Sequence, residues 1–287
     1  MRIRTTSDPA EFKATVFPSL QADPILHTSL LSNVEDRVNG IMHDPASPVF
    51  LSVHDDHDAV IGAVFCSASR GIQLGALPDT LVPVIVDVCA DLAPNPDEIG
   101  GTASAARRLA ELLAARNGKT PRQTQGIRLH KLDEFVALKA DGAPRRAVAA
   151  DVEVIAALMP GYRADVGHGL PPAEEEGWAR TRIERGRLWV WENEGRVVSV
   201  VGHQATLFGA TRVGPVYTPP RDRGRGYAGA LTAHVTRQLL DAGSQVCLHT
   251  DLANPTSNKI YAAIGYRPLV DLVVYRLDPA VGAGELD

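Results

Sequence analysis

The sequence predicts a mixed α/β (α+β) chain of two tandem domains, and three observations carry that expectation. The order helix, hairpin, strand, helix, strand, helix, strand occurs twice at an offset of roughly 140 residues, an internal duplication on the scale of a domain. With 287 residues and 45% apolar side chains the chain is long for one core and comfortable for two. Near the end of the second copy, a strand rising to Tyr217 is stopped by Pro219 and Pro220 and passes through a glycine-punctuated loop into an amphipathic segment, residues 228–242. The boundary is expected at Asp141-Gly142-Ala143-Pro144, which reads as a linker between domains 1–142 and 143–287.

In the first half, residues 12–42 carry helical periodicity broken by Pro18 and Pro24, with Leu26, Leu30, Leu31, Val34 and Val38 as an apolar stripe. Residues 49–53 and 60–65 read as hairpin strands around His54-Asp55-Asp56-His57-Asp58. That run has metal-ligand chemistry, but a polar turn is the plainer reading. A short strand at 71–77, a helix at 80–92 despite Pro83, a helix at 103–116 stopped by Gly118, and a strand-like stretch at 127–138 complete the half. In the second half, 151–158 and 174–185 read as helices around a polar loop at 159–177. Strands at 187–191 and 197–201 then flank the turn Glu192-Asn193-Glu194-Gly195-Arg196. The loop carries Tyr162, Arg163, Asp165, His168 and the acidic run Glu174-Glu175-Glu176, which reads as a solvated first helical turn or as an attractor for a cationic amine.

Composition excludes several classes. A formal charge of -5 offers no basic footprint for nucleic acid, no apolar run spans a bilayer, and the N-terminus has no signal-peptide core. Cys66, Cys89 and Cys247 are odd in number and widely spaced, which suggests neither a disulfide scaffold nor a zinc site. A cytoplasmic protein with buried thiols and no metal is expected, as monomer or homodimer.

The loop is built to hold an anion. The first amides of a helix lack intrahelical acceptors and lie at the positive end of the macrodipole. Gly224 and Gly226 let ligand oxygens reach the backbone, and Arg221, Arg223 and Arg225 add charge. Two patterns fit. Gly224-x-Gly226-x-x-Gly229, with Asp251 at the end of the next strand, matches the dinucleotide fingerprint. Arg223-x-x-Gly226-x-Ala228 matches the coenzyme A pyrophosphate loop of the GNAT superfamily of N-acetyltransferases. Residues 218–223 separate strand from glycines, and too little chain follows for further strand-helix units, which favours the second pattern. After a strand at 244–250, Asn254, Ser257, Tyr261 and Gly265-Tyr266 resemble the second GNAT motif, with Asn254 as N-cap, Pro255 at the first helical position and Gly265 as stop.

The chain therefore resembles tandem-domain bacterial GNAT proteins, of the type common in actinobacteria, with a degenerate N-terminal half and an active C-terminal half. Each half would be a mixed, mostly antiparallel sheet flanked by helices. In the first half, Ala76-Leu77-Pro78-Asp79-Thr80-Leu81 replaces the cradle with an acidic residue and no glycine pair. The resemblance implies acetyl-CoA as cosubstrate and a primary amine of a small molecule or peptide as acceptor. Val216, Tyr217 and Thr218 would pair with the pantetheine arm, and the segment Arg223, Gly224, Arg225, Gly226, Tyr227 and Ala228 would hold the pyrophosphate. Asn254 and Ser257 would assist, and Tyr261 would be the general acid. Residues 211–215 hold no carboxylate where many members carry a base. His203 is the first candidate instead, followed by Glu192, His249 and Asp251. That gap keeps a non-catalytic acyl-CoA-binding or regulatory module open beside the transferase, with an NAD-dependent oxidoreductase behind both.

Overall fold

The structure is a computed structural model that describes residues 1–42, 44, 46–67, 71–166 and 175–279. In chain order the elements are Arg2–Thr6 (β1), Pro9–Leu20 (α1), Thr28–Val38 (α2), Val49–His54 (β2), Val60–Ser67 (β3), Gly71–Leu74 (β4), Val82–Leu92 (α3), Ile99–Thr102 (β5), Ala103–Asn117 (α4) and Lys119–Leu132 (β6). They continue with Ala143–Arg146 (β7), Val152–Val166 (α5), Glu175–Glu184 (α6), Leu188–Asn193 (β8), Arg196–His203 (β9), Ala210–Tyr217 (β10), Tyr227–Asp241 (α7), Gln245–Asp251 (β11), Pro255–Ile264 (α8) and Tyr266–Pro279 (β12). The α/β class is as expected, and strand pairing is mostly antiparallel. Two compact units result: Met1–Arg128 with the residues from Val270 onward, and Leu129–Leu269. This division follows contacts rather than a single cut in the chain, because β12 leaves the second unit and its Leu272–Tyr275 pair with Ile99–Thr102 of the first.

In the first unit, alternation along β2 sends Leu51 and Val53 into a core with Ile85 of α3 and Leu109 of α4, while Phe50 stacks on Phe12 of α1 at 4.8 Å. Asp8 starts α1 by accepting from the Ala10 amide (2.8 Å), with Pro9 at the first position. The His54–Asp58 run forms the expected turn: Asp55 accepts from the amides of His57 and Ala59, each at 2.9 Å. β1 was not anticipated, whereas β5 fills the strand position that the repeated order leaves between the helices at 80–92 and 103–116. A Cβ on Gly101 would lie 2.8 Å from the Cβ of Leu74, so the paired strand needs glycine there.

Two expectations for the second unit are corrected. The linker at 141–144 is not a linker: Ala143 to Arg146 pair with Glu192 to Trp189, and Trp191 donates to the Asp141 carbonyl (2.7 Å). Pro144 is tolerated because β7 stands at the edge of its sheet. The loop expected at 159–177 is in part helix, because α5 runs through Pro160 and Gly161 to Val166. Tyr162, Arg163 and Asp165 are thus helical, Glu175 and Glu176 open α6, and His168 and Glu174 lie outside the described residues. Val190 and Val200 face Ile155 and Met159 of α5, whereas Val201, Val213 and Leu248 face Leu231 of α7 and Ile264 of α8.

One feature of the pairing places the site. β10 runs parallel to β11 from Ala210↔Gln245 to Val213↔Leu248, and the pairing ends there although both strands continue. On its other side β10 keeps β9, resuming after a register shift at Val216↔Val201 and Tyr217↔Val200. A gap therefore opens between β10 and β11. Residues 133–136 brace the far end of α8, since the amides of Asp133 and Val136 donate to the carbonyls of Gly265 (3.1 Å) and Ile264 (2.8 Å). Gly265 has φ +106°, and a Cβ there would overlap the Glu134 carbonyl. Gly265→Ala is expected to lower stability by more than ~2 kcal/mol in urea unfolding, left-handed strain and main-chain overlap acting together; a change within ~0.5 kcal/mol would refute the constraint.

Candidate functional site

The site grows from the end of β10. Pro219 and Pro220 end the strand, and the short turn Pro220–Asp222 is anchored by buried Asp222, which pairs with Arg196 (3.0 Å) and Arg221 (3.3 Å). Gly224 and Gly226 then take φ +78° and +81°, and Gly226 caps α7. From Gly224 to Gly229 no backbone amide donates to an acceptor among the described residues, while Gly224, Arg225 and Gly226 are exposed. This is a nest of amides at the positive end of a helix. Gly229 is required by packing, since a Cβ would stand 3.1 Å from Leu138 and 3.3 Å from Ile260. The Tyr227 ring is buried in the core, so only its main chain faces the nest.

The arginines divide their roles. Arg223 donates through Nε to the Thr218 carbonyl (2.9 Å), pairs with Asp165 of α5 and lies 5.8 Å from the centre of the Tyr217 ring. Arg225 is exposed and makes no ion pair among the described residues. Arg225 is thus the cation available to an incoming anion, and Arg223 ties the loop to α5.

The open side of β10, Gly214 to Tyr217, lies between two aromatic groups. Val216 lies on one face, against the core cluster that holds Tyr261 of α8. Tyr217 turns to the other face, edge-on to Tyr162 at 6.2 Å, with its hydroxyl against Gly161. Ser199 donates to the Tyr217 carbonyl (3.1 Å) and accepts from the Thr218 hydroxyl (2.9 Å). Tyr261 is 7% exposed, and its hydroxyl has no hydrogen bond among the described residues. Burial, with the neighbouring Tyr162 phenol, pushes its pKa up, so the phenol keeps its proton at neutral pH.

Asn254 caps α8 as expected, its side-chain oxygen accepting from the Ser257 amide (3.0 Å). That leaves the Asn254 amide nitrogen as a donor. Asn258, which helical spacing puts on or near one face with Asn254, Ser257 and Tyr261, closes the loop, donating to the carbonyls of Asp251 (3.0 Å) and Asn254 (2.8 Å) and accepting from Thr250 (2.7 Å).

Each candidate base already has an engagement. The Nδ1 of His203 lies 2.9 Å from the Gln204 carbonyl; burial lowers its pKa, the bond to Gln204 opposes this, and Arg187 and Arg182 add to it. Glu192 accepts from Arg145 (2.7 Å), and Asp251 accepts from the Ala253 amide (2.7 Å). Arg212 can only donate, so His249, 3.1 Å away, accepts at Nδ1 and carries its proton on Nε2, which is buried without a partner. Burial, then the charge of Arg212, holds the His249 pKa well below the ordinary histidine value. Arg212 itself was missed, although a guanidinium in an otherwise apolar strand is a legible signal. Among the described residues no group of three or more His, Cys, Asp or Glu could hold a metal ion.

A family model described as FR47-like protein matches residues 194–275, from the β8–β9 turn into β12. No curated protein matches the chain. An acetyltransferase of the GNAT family from Colwellia psychrerythraea superposes with TM-score 0.63, covering 97% of this chain and 100% of that one at 11% identity. The chain has the GNAT fold. A GCN5-related N-acetyltransferase from Sphaerobacter thermophilus aligns at TM-score 0.62 over 95% of this chain and 94% of that one, with 16% identity. A tandem GNAT protein from the clavulanic acid biosynthesis pathway aligns at 0.58 over 96% and 98%, with 13% identity. The GNAT likeness therefore extends beyond the residues matched by the family model.

Neutral His249 has a consequence for stability. Its folded pKa lies below its unfolded value of about 6.5, so the unfolded chain takes up a proton that the native state refuses once the pH falls below that value. Stability is expected to be flat in this respect above pH ~6.5 and to fall on acidification by up to ~1.4 kcal/mol per pH unit from this group. Urea titrations between pH 7.5 and 5.5 should show His249→Gln with a shallower fall than the native protein; an equal or steeper fall would show that His249 is not buried in neutral form.

Proposed function

We propose that the unit Leu129–Leu269 binds acetyl-CoA and transfers its acetyl group to a primary amine of a small molecule or peptide. One observation carries the reading: the unpaired edge of β10 at 214–217 leads directly into the unpaired amides at 224–229. The first suits an extended arm with peptide-like amides, and the second suits a diphosphate at the other end of that arm. The GNAT fold and the FR47-like match support an acyltransferase. A parallel dinucleotide fold is not supported, since β7, β8, β9 and β10 each run antiparallel to the next.

The macrodipole supplies only ~0.3–2 kcal/mol, so diphosphate affinity rests on the amides of Gly224 to Ala228 together with Arg225. Asn254 would offer its free amide nitrogen to the arm. The main chain near Val216 would donate to the thioester carbonyl oxygen as charge develops there, a contribution worth ~10²–10³ in rate. As the amine nitrogen bonds to the carbonyl carbon and the carbon–sulfur bond breaks, Tyr261 would give its proton to sulfur. The proton lost by the amine would go to His203 or to water. The three buried free thiols and the absence, among the described helices, of one long and apolar enough to cross a membrane fit the cytoplasmic setting we propose.

A second reading, coenzyme binding without turnover, is favoured by the engagement of every candidate base. Sustained thiol release with any member of a broad amine panel would exclude it.

Arg225→Glu should weaken acetyl-CoA binding at least ~10-fold in calorimetry. Tyr261→Phe should leave that affinity within ~2-fold and lower thiol release ~10²-fold. Unchanged affinity in the first variant would overturn the assigned nest, and unchanged turnover in the second would overturn the acid.

A further inference from the structure

The gap between β10 and β11 is closed by rings. It narrows toward Val213 and Leu248, where the strands come together. Val216, on the edge of the gap, packs against the core cluster of Tyr261, which stands edge-on to Tyr266 at 6.2 Å; Tyr266 in turn shares a hydrogen bond with Thr236 of α7 (2.7 Å). That side is fixed, because Tyr261 and Tyr266 are both buried. The opposite side is formed by Tyr217 and by Tyr162 of α5. Tyr217 cannot retreat, since its hydroxyl already touches the backbone at Gly161, where even a methyl group would overlap it. Tyr162 and Tyr261 come from helices on opposite faces of the sheet, α5 and α8, and each ring is seated against a second tyrosine, Tyr217 and Tyr266 respectively.

An arm running from the nest at Gly224 along β10 would thus end against a wall of phenols. On the coenzyme reading above, the group at that end is the acyl chain. We propose that Tyr162, seated on Tyr217, is a specificity-determining residue that limits the acyl group to about the size of acetyl. Among the aromatic residues of the wall, Tyr162 is the one whose removal widens the gap without cutting into the strand or the α7–α8 core. It is only half-buried, and α5 is held beside it by the Arg223–Asp165 pair. The hydroxyl is not what sets the limit; the ring is.

The test needs no acceptor. Calorimetry compares CoA, acetyl-CoA and octanoyl-CoA on the native full-length chain and on Tyr162→Phe, Tyr162→Leu and Tyr162→Ala. In the native protein CoA and acetyl-CoA should bind within ~3-fold of each other, and octanoyl-CoA at least ~10-fold more weakly, since one methylene too many in a closed apolar pocket already costs ~10-fold or more. Tyr162→Phe should keep that difference. Tyr162→Ala should bring octanoyl-CoA to within ~3-fold of acetyl-CoA, and Tyr162→Leu, which retains apolar packing should the alanine variant not fold, should reduce the difference at least ~3-fold. Octanoyl-CoA binding the native protein as tightly as acetyl-CoA would overturn the inference, as would an undiminished difference in the folded leucine or alanine variant. Failure of CoA itself to bind would instead remove the coenzyme reading, and this inference with it.

Discussion

A main-chain amide taken out of water must find an acceptor, and the fold leaves two neighbouring sets of such groups without one. β10 loses β11 after Val213 but continues to Tyr217, and a few residues later the amides from Gly224 to Gly229 start a helix with nothing in front of them. Both depend on features that keep the chain from closing on itself. The prolines at 219 and 220 prevent the strand from extending, and the left-handed glycines turn the amides outward together. The nest is exposed at Gly224, Arg225 and Gly226, so water can reach its amides. Every other feature of the site is arranged around that unpaired backbone.

The charges near the gap are organised by engagement. Arg223 and Asp165 hold each other, Arg145 holds Glu192 and Asp151, and Asp222 is held by Arg196 and Arg221. Histidines 203 and 249 are depressed by burial and nearby guanidinium groups, and Tyr261 is raised by burial. Near neutral pH His203, His249 and Tyr261 are therefore uncharged. The phenol of Tyr261 keeps its proton, while among the described residues Asp165, Glu192, Asp222 and Asp251 are each held by an arginine or a main-chain amide.

Much of the site was legible because its signals are local. Asn254, Pro255 and Gly265 mark the start and stop of α8 by capping and φ preference alone, and Gly224 with Gly226 mark the turn of the nest. The misreadings arose where proline or glycine sits inside a regular element. Pro160-Gly161 suggested a break, yet α5 continues because the missing Cβ admits the Tyr217 hydroxyl. Ala143-Pro144 suggested a linker and forms an edge strand. In each case a local cost was offset by a partner far away in the chain.

The amino-acid order by itself determined most of the succession of helices and strands, the caps of α8 and the glycine-punctuated loop before α7, because dihedral preference and capping act within a few residues. Tertiary structure alone decided where β10 and β11 part, that Tyr162 seats on Tyr217, that Arg223 is taken up by Asp165 while Arg225 is left exposed, and that β12 returns to pair with β5. Strand register and burial are set by the packing of many side chains from distant parts of the chain, and no short stretch of sequence contains that sum.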